Sequence, residues 1–200
     1  MLSLMRLPLA IAAVLSLSLT LCISIMRAMP YEAQAMQASF IPPADCTLPC
    51  WQYIRPGVTT AEELFALLDQ NAWADTVQAD PFSIRWQWSE TRPPLVDPGV
   101  PAAALVVQGE VQNLTLASTA QMGDFFLTMG RPRWISTAHS RRQAEIVLTY
   151  PAEGLTLALS LPCPVTRQAF WQAQPTVRLN KIAPLSRDFI DSLMNQSFAC

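Results

Sequence analysis

The sequence predicts an α+β protein: an N-terminal transmembrane helix, then an exported domain of mainly antiparallel sheet with two or three short helices. Three observations predict it. The chain opens with an uncharged apolar run from Leu7 to Met26, bounded by Arg6 and Arg27. Several later segments alternate apolar and polar residues, the period of a half-buried strand, and are joined by tight-turn residues. Other segments carry helix-start residues ahead of an apolar stripe.

The apolar run is 20 residues long. At about 1.5 Å per residue it reaches about 30 Å, the thickness of a bilayer core. Its serines and threonines are tolerable, because a helical hydroxyl bonds back to a carbonyl one turn earlier. The length favours a retained anchor over a cleaved signal, whose apolar stretch is roughly 7–15 residues. Ala33-Gln34-Ala35 is a candidate cleavage site, and it lies well past the run. Cys22 follows the bulky Leu21 and makes a poor lipidation site. Arg6 with the amino terminus favours N-terminus in and C-terminus out. The expected organisation is an anchor or signal over 1–27, a proline-containing stalk over 28–50, and an extracytoplasmic domain over 51–200. Within that domain the order of elements suggests halves at 51–117 and 118–183. The expected location is outside the cytoplasm, attached to the membrane through the N-terminal helix, or secreted if the segment is cleaved.

Of 13 Lys and Arg, Arg6 and Arg27 flank the apolar run, which leaves 11 against 15 Asp and Glu. A mildly acidic domain argues against nucleic acid as a partner. Beyond Cys22, four of the five cysteines remain: Cys46, Cys50, Cys163 and Cys200. An even number in an exported domain suggests disulfides. The favoured pairing is Cys46–Cys50 across a short proline-bent loop, with Cys163–Cys200 tying down the C-terminus. A clasp from the first pair to the second is the alternative. The spacing does not suit a zinc site.

Along the domain, Thr60-Ala-Glu-Glu63 is a capping box that starts a helix with Leu64, Leu67 and Leu68 on one face. Residues 82–88 alternate, with Phe82, Ile84, Trp86 and Trp88 on one side. Prolines over 90–101 demand a loop. Two strands, Ala103–Gln108 and Val111–Ala117, follow around a Gly109-Glu110 turn. A second helix over 119–130 has Thr119 as its cap and ends at Gly130 before Pro132. Three strands over 133–138, 144–150 and 155–161, a fourth over 176–182, and a terminal helix over 186–195 complete the reading.

Ile54-Arg-Pro-Gly-Val-Thr-Thr-Ala-Glu-Glu-Leu, and a second helix closing on Gly130-Arg-Pro132, resemble the helix-then-sheet module of BamE-type envelope lipoproteins. Two such modules in tandem resemble the β-lactamase-inhibitor-protein fold. Cys46-Thr-Leu-Pro-Cys-Trp followed by the Pro-Gly turn is similar to a set of uncharacterised bacterial membrane-anchored proteins. The resemblance implies an envelope protein that binds other proteins or scaffolds an assembly. It carries over no catalytic residue.

No catalytic, cofactor or metal signature stands out. His139 is the single histidine, and no nucleophile elbow accompanies it. Arg131, Arg133, Arg141 and Arg142 form the one basic cluster, and arginine forks suit carboxylates and phosphates. Trp86 and Trp88 share a strand face and belong to the core or to a binding surface. These features favour a non-enzymatic, membrane-anchored binding or scaffolding protein with a protein partner. The alternative is an envelope enzyme, hydrolase-like, with a site assembled near His139.

Overall fold

The computed structural model describes residues 14–24, 33–140 and 142–180. The chain divides into two units, Met1–Glu32 and Ala33–Cys200. In the first, residues 14–24 are helical (α1). Ser18, Thr20 and Ser24 hydroxyls donate to the carbonyls of Leu15, Ser16 and Thr20 at 2.7–2.9 Å, so these polar groups are met within the helix. The expected transmembrane helix is nevertheless corrected. Among the described residues no helix is long and apolar enough to cross a membrane.

The second unit is built on one antiparallel sheet of eight strands, in the order β1-β2-β3-β4-β8-β7-β6-β5. The strands are β1 Ala74–Ala79, β2 Ser83–Trp88, β3 Ala102–Val107, β4 Glu110–Ala117, β5 Trp134–His139, β6 Gln143–Tyr150, β7 Leu155–Pro162 and β8 Thr176–Asn180. The helices are α2 Ala33–Phe40, α3 Ala61–Gln70, α4 Met122–Met129 and α5 Arg167–Gln172. Strands β1–β4 form one meander after α3. Strands β5–β8 form another after α4, and β4 pairs with β8 to fuse the two. The pleat sends alternate side chains to opposite faces. Ile84, Trp86 and Trp88 of β2, Ala104 of β3, Leu114 and Leu116 of β4, Ile146 and Leu148 of β6 and Val177 of β8 are all buried on one face. Met36, Phe40, Leu64, Leu68, Met122 and Phe125 from the helices join them in one core.

Local chemistry explains the elements. Thr60 accepts from the Glu63 N–H at 3.2 Å, and the Thr60 N–H donates to the Glu63 carboxylate at 2.8 Å. This capping box starts α3. The β3–β4 turn falls on Gln108 and Gly109, both at positive φ (54° and 81°), one residue earlier than the sequence suggests. Two consecutive left-handed residues match the twist of the flanking strands. Helix α4 starts at Gln121, whose N–H donates to Asp124 Oδ2 at 2.9 Å. Thr119 does not cap it, because the helix begins at Met122 and the capping position falls on Gln121.

Three expectations change. Residues 33–50 are no stalk: α2 occupies part of the segment, Met36 and Phe40 are buried, and Cys50 is fully enclosed. Phe82 does not share the buried face of β2. It is 70% exposed, because the Asp80 carboxylate accepts from the N–H groups of Phe82 and Ser83 and holds this stretch as a turn. Strand β1 and helix α5 were not anticipated. Lys181 and Ile182 at the end of the expected last strand, the expected terminal helix and Cys200 lie outside the described residues.

Candidate functional site

The face of the sheet turned away from the helices is a broad organised surface. The strand registers align one residue from every strand into a single transverse row: Gln78, Arg85, Ala103, Thr115, Arg178, Thr156, Thr149 and Trp134. None of the eight is buried. A parallel row runs Ala117, Thr176, Ala158, Val147 and Ser136. On β3, Leu105 and Val107 are 47% and 44% exposed. Strand spacing makes the full row about 34 Å wide. With strands about 20 Å long, the face offers roughly 700 Å², close to one side of a standard protein–protein interface.

Small and β-branched residues keep the middle of this face low. Arg85 and Arg178 rise from it, separated by Ala103 and Thr115, about 14 Å apart. At one end, the Ser83 hydroxyl and the Phe82 N–H hold the Asp80 carboxyl below the usual carboxylate range, with a contribution from the Arg85 charge. At the other end, the Arg133 guanidinium lies 5.8 Å from the centre of the Trp134 ring, a cation–π contact.

Two concavities lie elsewhere. One, of about 300 Å³, is bounded by Phe40, Leu48, Cys50, Met129, Leu155 and Leu179, with Thr128 and Glu153 as its polar members. The other is an open groove of about 410 Å³ beside α3, with Tyr53, Arg55, Glu63 and Gln70. Glu63 is already engaged in the capping box. The first concavity holds one carboxylate, that of Glu153. Among the described residues no group of three or more His, Cys, Asp or Glu could hold a metal ion.

The basic cluster read from the sequence separates in space. Arg131 and Arg133 precede β5 and Arg142 follows it, so the strand holds them about 20 Å apart. All three are exposed, and Arg141 lies outside the described residues. His139 ends β5, is exposed, and lines neither concavity. Cys46 and Cys50 are disulfide-bonded. Cys163 is also disulfide-bonded, while Cys200 lies outside the described residues. Four of the six tryptophans belong to the core. Trp51, Trp73, Trp86 and Trp88 pack with ring centres 5.4–6.0 Å apart, and Trp51 Nε1 donates to the Ser39 carbonyl at 2.6 Å. The transverse row was not seen in the sequence. Its only trace there is the polar half of each strand's alternation.

No family model matches the chain, and no curated protein matches it. Among solved structures it is similar to a DUF4309-family protein, YjgB, of Bacillus subtilis. The likeness covers 75% of this chain and 91% of that one, at 12% identity and a TM-score of 0.42.

Proposed function

We propose that the chain is a non-enzymatic, extracytoplasmic binding or scaffolding protein that engages a protein partner through the open face of its sheet. The observation that carries this reading is the transverse row from Gln78 to Trp134, which crosses every strand without a buried member. A broad, low, mostly uncharged face with two arginines and an edge tryptophan has the make-up of an interface, in which aromatic and arginine side chains are enriched. The Cys46–Cys50 disulfide is compatible with an oxidising compartment. The resemblance to envelope proteins points the same way.

A photo-cross-linking residue tests this at Thr156 or Val147 on the open face, with Phe65 on the outer side of α3 as control. Adducts of one discrete mass from both sheet positions, absent from the control, are the expected result. Equal adducts from all three positions, or none from the sheet, would overturn the reading.

A further inference from the structure

The sheet has two edges, and they differ in how they meet solvent. Edge strand β1 carries Asp75, and its register against β2 shifts between Ala74 and Val77. Charges and irregularities of this kind are how natural sheets block the addition of another strand. Edge strand β5 has no such guard within it. Its sequence, Trp-Ile-Ser-Thr-Ala-His, holds no lysine, proline or carboxylate, and its register against β6 runs unbroken from Trp134 to His139. Among the described residues β5 pairs with β6 alone.

The outward backbone groups can be named. The Ser140 N–H donates to the Gln143 carbonyl at 2.8 Å, a bonded position of the hairpin. Antiparallel ladders alternate bonded and non-bonded pairs. Ala138, Ser136 and Trp134 therefore bond inward to β6. The N–H and C=O groups of Ile135, Thr137 and His139 point to the open edge, about 7 Å apart along the strand. Arg131 and Arg133 stand before this row of donors and acceptors, and Arg142 stands after it.

We propose that β5 is a strand-addition edge that takes an extended acidic segment of another protein. Main-chain hydrogen bonds to Ile135, Thr137 and His139 would supply the pairing, as in other β-augmented complexes. Carboxylates near the two ends of the segment meet the arginines that bracket β5. The same arginines disfavour a second copy of this chain. Antiparallel pairing of β5 with itself joins outward residues to outward residues, so it sets Ile135 opposite His139 of the second copy and Thr137 opposite Thr137. It then brings Arg131 of each copy toward Arg142 of the other, and like charges facing across a strand pair are destabilising. This edge is distinct from the open face, and the proposal stands or falls apart from the reading of that face.

The test uses the full chain and two synthetic peptides of alternating threonine and valine, one ending in glutamates and one in lysines. Amide hydrogen exchange reports where each binds. The glutamate-ended peptide should protect Ile135, Thr137 and His139 and bind roughly tenfold tighter than its lysine counterpart at low salt. Arg131→Glu with Arg133→Glu should reverse that preference while leaving the thermal midpoint in place. Thr137→Pro, which removes an outward donor, should abolish protection if it folds; the arginine variants carry the test if it does not. Equal binding of the two peptides would overturn the proposal, as would protection confined to β1 or the open face. Concentration-dependent protection of the same amides in the protein alone would assign the edge to a second copy and overturn it as well.

Discussion

Gly154 lies so close to Pro49 that a β-carbon on the glycine would overlap the proline ring. Gly154 sits in the β6–β7 hairpin at φ 64°, a left-handed conformation that disfavours a side chain. Pro49 belongs to the loop closed by the Cys46–Cys50 disulfide. Two requirements, backbone conformation and space, thus fall on one residue. Gly154→Ala should cost about 2–3 kcal/mol, because the strained φ and the displaced loop add. Urea unfolding of the variant measures the loss. An unchanged midpoint would mean that the loop yields freely and that the contact is not one the core depends on.

Helix α2 is part of the core, and Met36 measures how much. The side chain is 1% exposed, and Phe40 one turn later packs on Phe125 of α4 with ring centres 5.2 Å apart. A linker would tolerate truncation at either position. Met36→Ala should instead destabilise by about 3 kcal/mol, the usual cost of removing a buried methionine side chain. A calorimetric midpoint within a degree or so of the parent would contradict the packing of this segment.

The sequence made local chemistry legible and long-range pairing illegible. The Thr60/Glu63 capping box and the Ile84, Trp86, Trp88 alternation could be read because their partners lie within a few residues. Strand β1 was missed because an edge strand with a register shift need not alternate cleanly: only Ala74 and Val77 of its six residues are half-buried. Helix α2 was missed because prolines surround it and its burial rests on few side chains, Met36, Ser39 and Phe40. The open face depends on β4 meeting β8, residues such as Thr115 and Arg178, and nothing in either segment announces the other. Arg131, Arg133 and Arg142 show the converse. Close in sequence, they looked like one cluster, yet an extended strand carries residues apart at more than 3 Å per step.

Two buried tryptophans separate packing from hydrogen bonding. Trp51 Nε1 donates to the Ser39 carbonyl, whereas Trp86 Nε1, equally buried, has no acceptor among the described residues. Both side chains sit in the same aromatic cluster. Replacement by phenylalanine removes similar surface from each. In Trp51→Phe the Ser39 carbonyl also loses its donor, while Trp86→Phe relieves an unmatched N–H. Trp51→Phe should therefore be the more destabilising by about 1–2 kcal/mol. Paired denaturant titrations decide it, and equal losses would mean that the indole hydrogen bond contributes nothing net.

Tyr150 couples the fold to alkaline pH. Its ring is buried at 3% exposure, and its hydroxyl donates to the Gly130 carbonyl at 3.2 Å. Burial, helped by the negative charge of Glu153, pushes its pKa up from 10.0 to about 12. The unfolded chain releases this proton near pH 10 while the folded protein keeps it, so between those values the folded state binds more protons. Stability is then fully present below pH 10 and falls as pH rises toward 12, by about 2–3 kcal/mol. Unfolding midpoints measured across that window should decline in the parent protein, and the component due to this residue should be missing in Tyr150→Phe. Titration of phenolate absorbance in the folded protein supplies the independent check: a tyrosine ionising near pH 12 in the parent should vanish from the variant. Identical pH profiles for the two proteins would show that Tyr150 does not carry the alkaline transition.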